Sequence, residues 1–407
     1  MKNQKFGLIG KTLKHSYSKR VHGVFSDYDY ELYELSEDKL KEFVDSDVVG
    51  FNVTIPYKRE IIKYLDVVDG EALDIGAVNT VVKKNGKIYG YNTDSFGMEY
   101  ALNRSGISLC DKTVMMLGSG GTSQTATSVC KRLGAKKIII VSRGGEINYQ
   151  NYHEQKEVQV IINTTPVGMY PRTEESPIDL DGFENLIGVM DVIFNPSITK
   201  LLYMAKQKGI KTCGGLAMLV AQAKRAAELF TGESIIDEKI EKAIREIERE
   251  EKNILLIGMP GSGKTTVGKE LAKRLNREFI DTDLLIEQKA NMPIKEIFSN
   301  FGEEKFRELE TETIKEVGKL SNKVIATGGG IIKREENHFY LSRNSKVFYI
   351  KRKIENLATS DRPLSKDLSA VEKLYKERKS LYEGLCNVVI ENDSDLDSAI
   401  KGVIENL

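Results

Sequence analysis

Cysteine and histidine are scarce in this 407-residue sequence, four of each. Cys110, Cys130, Cys213 and Cys386 are scattered with no CxxC pair, which argues against a disulfide framework and fits reduced thiols in a cytoplasm. His15, His22, His153 and His338 share no metal-ligand spacing. An excess of one charge is also missing. Lys plus Arg and Asp plus Glu total 60 each, and from Asn253 onward 26 basic residues stand against 25 acidic ones. Neither half therefore carries the field expected of a nucleic-acid partner. No apolar run is long enough to span a bilayer. The start, MKNQKFGLIGKTLK, has no signal-peptide core, so a cytoplasmic protein without a membrane partner is expected. Neither a repeat period nor a Gly/Ser-rich linker is found.

The composition that remains, 40% hydrophobic and 29% charged, is that of a globular chain long enough for roughly two or three domains. Its sharpest signal lies at residues 252–268, KNILLIGMPGSGKTTVG. The apolar run 254–257 suits a buried strand. Gly258-x-x-x-x-Gly263-Lys264-Thr265 follows, and then a helix-forming run, 267–275. Glycines there let backbone N–H groups curl around phosphate oxygens, and the helix N-terminus behind them favours negative charge. Gly261, Ser262, Gly263 and Thr266 line such a loop, Lys264 reaches the outer phosphates and Thr265 can hold magnesium. This half is expected to bind a nucleoside triphosphate.

The acceptor side of that half is less distinctive. Residues 279–283, FIDTD, read as a strand ending in two carboxylates. At a spacing of two, Asp281 and Asp283 point the same way along an extended chain. One can support magnesium while the other meets a hydroxyl acceptor. FRELE at 306–310 sits on a helix, 324–327 leads into Gly328-Gly329-Gly330, DRPL at 361–364 lies in a polar stretch that could form a lid, and Arg378 is helical.

The first half begins with a strand at 6–9. Ser16 and Ser18 face one way if the backbone is extended and could bind a polyol or carboxylate, although Ser pairs in loops usually cap helices. Residues 51–58, FNVTIPYK, take an apolar strand through a Pro turn to Lys58. A lysine near apolar walls can exchange protons. GAVNT at 76–80 and GYNTD at 90–94 each read as the end of a strand. They offer Asn79, Asn92 and Asp94 either as ligand contacts or as Asx turns. A strand at 113–117, then Gly118-Ser119-Gly120-Gly121 opening a helix, then a strand at 138–141 form a βαβ dinucleotide arrangement with Ser123 in the third glycine position. The second strand ends Ser142-Arg143, and a guanidinium there favours NADP over NAD unless Arg143 is merely a solvated surface group. Further strands are expected at 158–162, before NTTPVGM, and at 189–194. Gln222 lies on a largely apolar helix face, as a buried hydrogen-bond linchpin or a ligand contact.

Taken together, HSYS, NVTIPYK, GAVNT, GYNTD, GSGG, NTTPVGM and GGLAMLVAQA resemble shikimate dehydrogenase over about residues 1–245. The resemblance implies that Ser16, Ser18, Thr54, Asn79, Asp94 and Gln222 hold shikimate and that Lys58 and Asp94 form the catalytic pair. It also implies that Gly118, Ser119, Gly120, Gly121, Arg143 and Gly215 line the NADP site. There are two departures. Phe194 stands where many relatives have a Tyr touching shikimate, which keeps quinate open as a substrate. The segment between Arg143 and Asn163 is also short, as if a helix were missing. From Asn253 to Leu407, the P-loop, DTD, FRELE, GGG, DRPL and the helical arginine together resemble shikimate kinase. By that likeness Arg307 and Arg378 clamp the shikimate carboxylate, Asp283, Gly329 and Gly330 meet its hydroxyls, Arg362 closes over the phosphates, and Thr265 and Asp281 serve the metal. The stretch before Arg362 is shorter than in many relatives.

The implied class is α/β. Residues 1–95, completed by 216–250, form a substrate domain, 96–215 a Rossmann-like NADP domain, and 253–407 a P-loop kinase domain with a parallel sheet. The implied activities are reduction of 3-dehydroshikimate with NADPH and phosphorylation of shikimate with ATP and Mg2+, on small-molecule substrates. A different reading makes one half a non-catalytic ligand sensor; retention of Lys58, Asp94, Lys264, Asp283 and Arg362 argues against it. The helix expected at 237–251 carries a narrow apolar stripe and is read as closing the first half.

Overall fold

The computed structural model describes residues 4–13, 16–357 and 368–407. The chain divides into two compact units, 1–246 and 247–407. The boundary falls inside the helix Glu238–Glu251, so the last residues of that helix group with the second unit instead of closing the first. Ile240, Ala243, Ile244 and Ile247 are its buried stripe.

The first unit holds two sheets. One runs β2–β1–β3–β5–β6–β4, with β1 Lys5–Gly10, β2 Asp29–Glu34, β3 Val48–Val53, β4 Val67–Val68, β5 Thr80–Lys84 and β6 Lys87–Tyr91. Strands β1, β2 and β3 are parallel, while β5 runs antiparallel to both β3 and β6. Along β3, Phe51 and Val53 alternate into a core with Ile9, Leu40 and Val81, which leaves Asn52 on the opposite face. This topology corrects one reading of the sequence. GAVNT follows the helix Gly70–Ile75 and begins β5; it does not end a strand. Antiparallel pairing nevertheless brings the start of β5 to the same edge as the ends of β1, β3 and β6. The polar loops converge there as expected.

The second sheet is fully parallel, β11–β10–β9–β7–β8, with β7 Thr113–Leu117, β8 Lys137–Val141, β9 Val160–Asn163, β10 Gly188–Asp191 and β11 Lys211–Cys213. Strand β9 starts later than the sequence suggested and β10 ends earlier. Polar Asn163 and Asp191 can close these buried strands because they hydrogen-bond to each other at 3.1 Å. Between β8 and β9 the described chain has only a 3-10 turn, Tyr152–Glu154, where β7 and β8 are joined by the helix Gly121–Arg132. The chain passes from β8 back to the far side of β7, so the topological switch lies between β7 and β9.

The second unit is a parallel sheet ordered β13–β14–β12–β15–β16, with β12 Asn253–Ile257, β13 Glu278–Asp281, β14 Lys323–Ala326, β15 Ser345–Lys351 and β16 Val388–Glu391. Ile254, Leu256, Phe348 and Ile350 fill its centre against Val267 and Leu271 of the helix Lys264–Leu275. The central strand β12, buried at every residue, reads as a continuous apolar run after Asn253.

Candidate active sites

In the first unit, the convergent edge assembles a compact polar site. Lys58 Nζ donates to Asp94 Oδ2 at 2.5 Å, and Asn79 Nδ2 donates to Asp94 Oδ1 at 2.9 Å. Asn79 Oδ1 accepts from the Thr93 backbone N–H at 2.7 Å, which fixes the direction of its carboxamide. Gln222 Oε1 lies 3.4 Å from Asn79 Nδ2. Its helix, Gly215–Thr231, comes this close because the neighbouring helix Asp94–Arg104 carries Gly97. A Cβ at Gly97 would lie 2.5 Å from the Met218 carbonyl and 3.0 Å from Gln222 Cβ. Thr54 follows β3 and its N–H bonds to the Ile9 carbonyl, at the same edge. Ser16 and Ser18 are not on an extended run. Ser18 begins the helix Ser18–Phe25, and its N–H donates to Ser16 Oγ at 3.2 Å, so Ser16 serves at the helix start. Phe194 packs edge-on against Tyr17, between the two serines, at 5.2 Å.

At the switch between β7 and β9, Gly118 has φ +105°, and a Cβ there would lie 2.9 Å from Thr164 Oγ1. Added Cβ atoms on Gly120 and Gly121 would meet open space, so the backbone at the N-terminus of Gly121–Arg132 is accessible. Ser123 replaces a third glycine and donates to the Gly118 carbonyl at 2.8 Å. Ser119 and Arg143 are exposed, Arg143 just beyond β8. This cradle fits a pyrophosphate with a cation to one side. Gly215 is backed by strand ends: a Cβ would sit 2.1 Å from the Val192 carbonyl.

The second unit has a cavity of about 590 Å3 lined by the P-loop and by Asp281, Asp283, Arg307, Glu310, Gly328, Gly329, Gly330, Arg352 and Arg378. Lys264 Nζ donates to the Gly258 and Met259 carbonyls, both at 2.9 Å. Thr265 Oγ1 donates to Asp281 Oδ2 at 2.8 Å, a hydroxyl–carboxylate pair suited to magnesium. Ser262 Oγ is buried towards Gly258, so any phosphate contact of Ser262 rests on its backbone. The two aspartates do not point together along a strand, which corrects the sequence reading. Asp281 ends β13 and accepts from the Asp283 N–H at 3.0 Å as the cap of the helix Thr282–Ala290, to which Asp283 belongs. Their side chains diverge, Asp281 towards Thr265 and Asp283 towards Gly328.

The triple glycine has three separate neighbours. Added Cβ atoms would meet Asp283 Oδ1 at 2.5 Å from Gly328, Pro260 at 2.6 Å from Gly329 and Arg307 Nη1 at 2.2 Å from Gly330. Only a bare backbone lets P-loop, carboxylate and guanidinium close around one turn. Arg307 donates to Glu310 at 2.6 Å and to Glu303 at 2.9 Å. Burial opposes the charge on Arg307, yet these two carboxylates outweigh it and raise its pKa. Burial pushes Glu310 up to about 7 against the pull of Arg307. Arg378 donates to the Gly329 carbonyl at 3.0 Å, and its Nε and Nη2 are buried without a hydrogen-bond partner among the described residues. Arg362 lies outside the described residues.

Three residues escaped the sequence reading. Glu310 stood within FRELE without a role. Arg352 looks like part of a solvated run, KRK, but lines the cavity from the end of β15, its Nε buried and without a hydrogen-bond partner among the described residues. Asp191 is fully buried; besides Asn163 it accepts from the Ile193 N–H at 3.1 Å and Thr199 Oγ1 at 2.7 Å. Burial raises its pKa to about 6 despite those bonds.

Residues 260–407 match the shikimate kinase family, and residues 8–81 match the shikimate dehydrogenase substrate binding domain. Over 262 residues the chain is 37% identical to the shikimate dehydrogenase (NADP(+)) of Clostridium beijerinckii, covering 60% of this chain and 97% of that protein. A solved chorismate mutase/shikimate 5-dehydrogenase fusion protein from Clostridium acetobutylicum has a TM-score of 0.59 at 34% identity, over 61% of this chain and 98% of that one. Shikimate 5-dehydrogenase from Thermus thermophilus, solved with NADP(H) and shikimate, has a TM-score of 0.54 at 28% identity, over 60% and 99%. The chain belongs to the shikimate dehydrogenase family and carries a shikimate kinase domain behind its dehydrogenase half.

Proposed function

We infer that this chain catalyses two successive reactions: NADPH-dependent reduction of 3-dehydroshikimate to shikimate, and transfer of a phosphoryl group from ATP to shikimate, giving shikimate 3-phosphate. The observation that carries the first is the Lys58–Asp94 pair at 2.5 Å, fixed by Asn79 at the convergent sheet edge. The second rests on one cavity holding both a P-loop and two arginines beside a carboxylate.

In the reduction, NADPH supplies the hydride. Lys58 gives a proton to the substrate's carbonyl oxygen as hydride arrives, and Asp94 orients the ammonium. Ser16, Ser18, Thr54, Asn79 and Gln222 bind the polyol and carboxylate. Gly118, Ser119, Gly120, Gly121 and Gly215 line the dinucleotide, and Arg143 reads its 2′-phosphate. In the phosphorylation, Asp283 orients or deprotonates the hydroxyl, Arg307 and Arg378 grip the carboxylate bidentately, and Gly329 and Gly330 close the acceptor pocket. Residues 261–266 cradle the phosphates, with Lys264 and Arg362 on the transferring group. Thr265 and Asp281 hold magnesium, which neutralises charge on the phosphates. Substrate binding belongs to 1–95 with 216–250, dinucleotide binding to 96–215 and kinase chemistry to 253–407. The substrates are small molecules, and no described helix is long and apolar enough to cross a membrane. Scattered unpaired cysteines favour a cytoplasmic setting.

The test is product analysis of the purified chain with 3-dehydroshikimate, NADPH and MgATP, omitting each cofactor in turn. Shikimate should accumulate without ATP, and nothing should form without NADPH. Shikimate 3-phosphate should appear only with both. A folded chain that binds these ligands without turning them over would support the sensor reading instead.

A further inference from the structure

Asn52 belongs to the FNVTIPYK run, but the proposed chemistry uses only Thr54 and Lys58 from it. Its side chain leaves β3 on the face opposite Phe51 and Val53, and it pairs across the sheet with Thr80 of β5. Hydrogen-bond accounting around it gives a directed chain. The Tyr30 hydroxyl donates to Asn52 Oδ1 at 2.8 Å, so that oxygen is the acceptor end of the amide. Asn52 Nδ2 donates to Thr80 Oγ1 at 3.0 Å and to the Asn79 carbonyl at 3.2 Å. The Thr80 hydroxyl reaches Asn79 Oδ1 at 3.1 Å directly, and also by way of Thr93 Oγ1, which lies 3.2 Å from Thr80 Oγ1 and 3.2 Å from Asn79 Oδ1, so by either route the donors lead to Asn79. Asn79 Nδ2 then donates to Asp94 Oδ1 at 2.9 Å, and Lys58 holds the other carboxylate oxygen.

Behind Asn52 the chain continues into a buried aromatic cluster. His22 Nδ1 lies 2.5 Å from the Tyr28 hydroxyl. The ring is buried among Tyr28, Tyr30 and Phe230. This is the neutral imidazole, in agreement with the burial that pushes His22 down to about 3. The ring stacks on Tyr30 at 4.1 Å, which holds the donor to Asn52 in place. Every polar link from Tyr30 to Asn79 is neutral, and the donors lead through Asn52, Thr80 and Asn79 to Asp94, with a side branch from Asn79 Nδ2 to Thr93 Oγ1 at 3.1 Å. Bonds aligned in this way polarise one another and strengthen the last, charged one.

We infer that Asn52, acting through Thr80 and Asn79, is a positioning residue for the Lys58–Asp94 pair. The inference rests on the proposed reduction. Thr80 gives the cleanest test, since Val keeps its shape and loses the hydroxyl, whereas Ser keeps the hydroxyl. In dehydroshikimate reduction, Thr80→Val should lower kcat roughly three- to tenfold, the size expected for one lost hydrogen bond. Its KM should change much less, and its Kd for NADPH should stay at the wild-type value. Thr80→Ser should restore kcat. Asn52→Asp puts an acceptor where Nδ2 donated, turns the Thr80 proton away from Asn79, and should lower kcat about ten- to a hundredfold. A primary isotope effect with deuterated NADPH should grow in Thr80→Val and Asn52→Asp, placing the loss on the hydride step.

If Asn52→Asp does not fold, the Thr80 pair decides alone. Wild-type kcat in Thr80→Val, or an equal loss in Thr80→Ser and Thr80→Val, overturns the inference and leaves Thr80 a packing residue. Wild-type chain that fails to reduce dehydroshikimate would instead overturn the proposed reduction, separately from this proposal.

Discussion

The two units house their charges differently. In the first, Lys58 and Asp94, the pair proposed to react, are already bonded to each other and embedded in neutral hydrogen bonds. In the second, Lys264, Arg307, Arg352 and Arg378 crowd one cavity with Asp281, Asp283 and Glu310, and buried polar atoms of Arg352, Arg378 and Glu310 lack a hydrogen-bond partner among the described residues. The chemistry explains the contrast. Reduction of a carbonyl needs one well-aimed proton, and a satisfied pair aims it. Phosphoryl transfer must spread charge over a triphosphate and grip a carboxylate, so that site carries donors that only anions can fill. Buried donors without partners cost stability, and the second site concentrates that cost where the ligands bind.

The largest expected effect tests whether the units work separately. Lys58→Ala removes the proton-transfer group and should slow reduction by roughly 10²–10⁴, leaving phosphorylation of added shikimate intact. Lys264→Ala should abolish phosphorylation and spare reduction. Either variant alone should fail in the coupled reaction, and a mixture of the two should restore it through free shikimate. Loss of both activities from one substitution would break the comparison at its root.

Next in size are the guanidiniums. Arg378→Ala should raise the shikimate KM of the kinase by about ten- to a hundredfold, the worth of a charge-assisted contact of about 1.5–3 kcal/mol, with a smaller change for ATP. Arg307→Ala should raise it similarly but should also lower stability, because Glu310 then stays buried without its cation. If the ATP KM moves more than the shikimate KM in both variants, the arginines serve the nucleotide and the assigned roles fall.

A smaller effect is expected on the dinucleotide side. Arg143 is exposed beyond β8, so the contact with a 2′-phosphate proposed for it is partly screened by water. Arg143→Ala should weaken NADPH by about tenfold and NADH hardly at all. Equal losses for both cofactors, measured by fluorescence titration, would show that another group reads the phosphate.

What could be read in the sequence follows from how local each signal is. The run 113–117 is apolar after Thr113 and bounded by Lys112 and Gly118, and it is β7 residue for residue. Residues 254–257 and the P-loop were equally plain, because strand, turn and helix are contiguous. The misreadings came where two local rules compete. Asp281 could extend a strand or cap a helix, and the hydrogen bond to the Asp283 N–H decided for the cap. Asn79 looked like a strand end because nothing in its neighbours announces that β5 runs antiparallel to β3. Glu310, Arg352 and Asp191 gave no signal, since their burial depends on elements distant in sequence.

Asp191 also supports the smallest expected effect on activity, one visible mainly in stability. Its carboxyl is buried at the end of β10, and burial raises its pKa from 3.8 to about 6. Folded protein therefore holds this proton at a pH where the unfolded chain has lost it. The group's stabilising contribution is complete below about pH 3.8 and is lost as pH rises through about 6. At 1.36 kcal/mol for each pH unit of displacement, up to about 3 kcal/mol of the first unit's stability should disappear across that window. Asp191→Asn removes the titration with little change of shape. Its Oδ1 can still accept from Asn163 and Ile193, and its amide can donate to the Thr199 hydroxyl, which rotates to accept. Relative to wild type, the variant should gain stability steadily from pH 4 to pH 7. Calorimetry can follow this once the transition of the first unit is identified as the one that NADPH shifts upward. Parallel curves for variant and wild type would mean that the buried carboxyl does not titrate in this range. In that case its three hydrogen bonds, which lower the pKa, outweigh the burial that raises it.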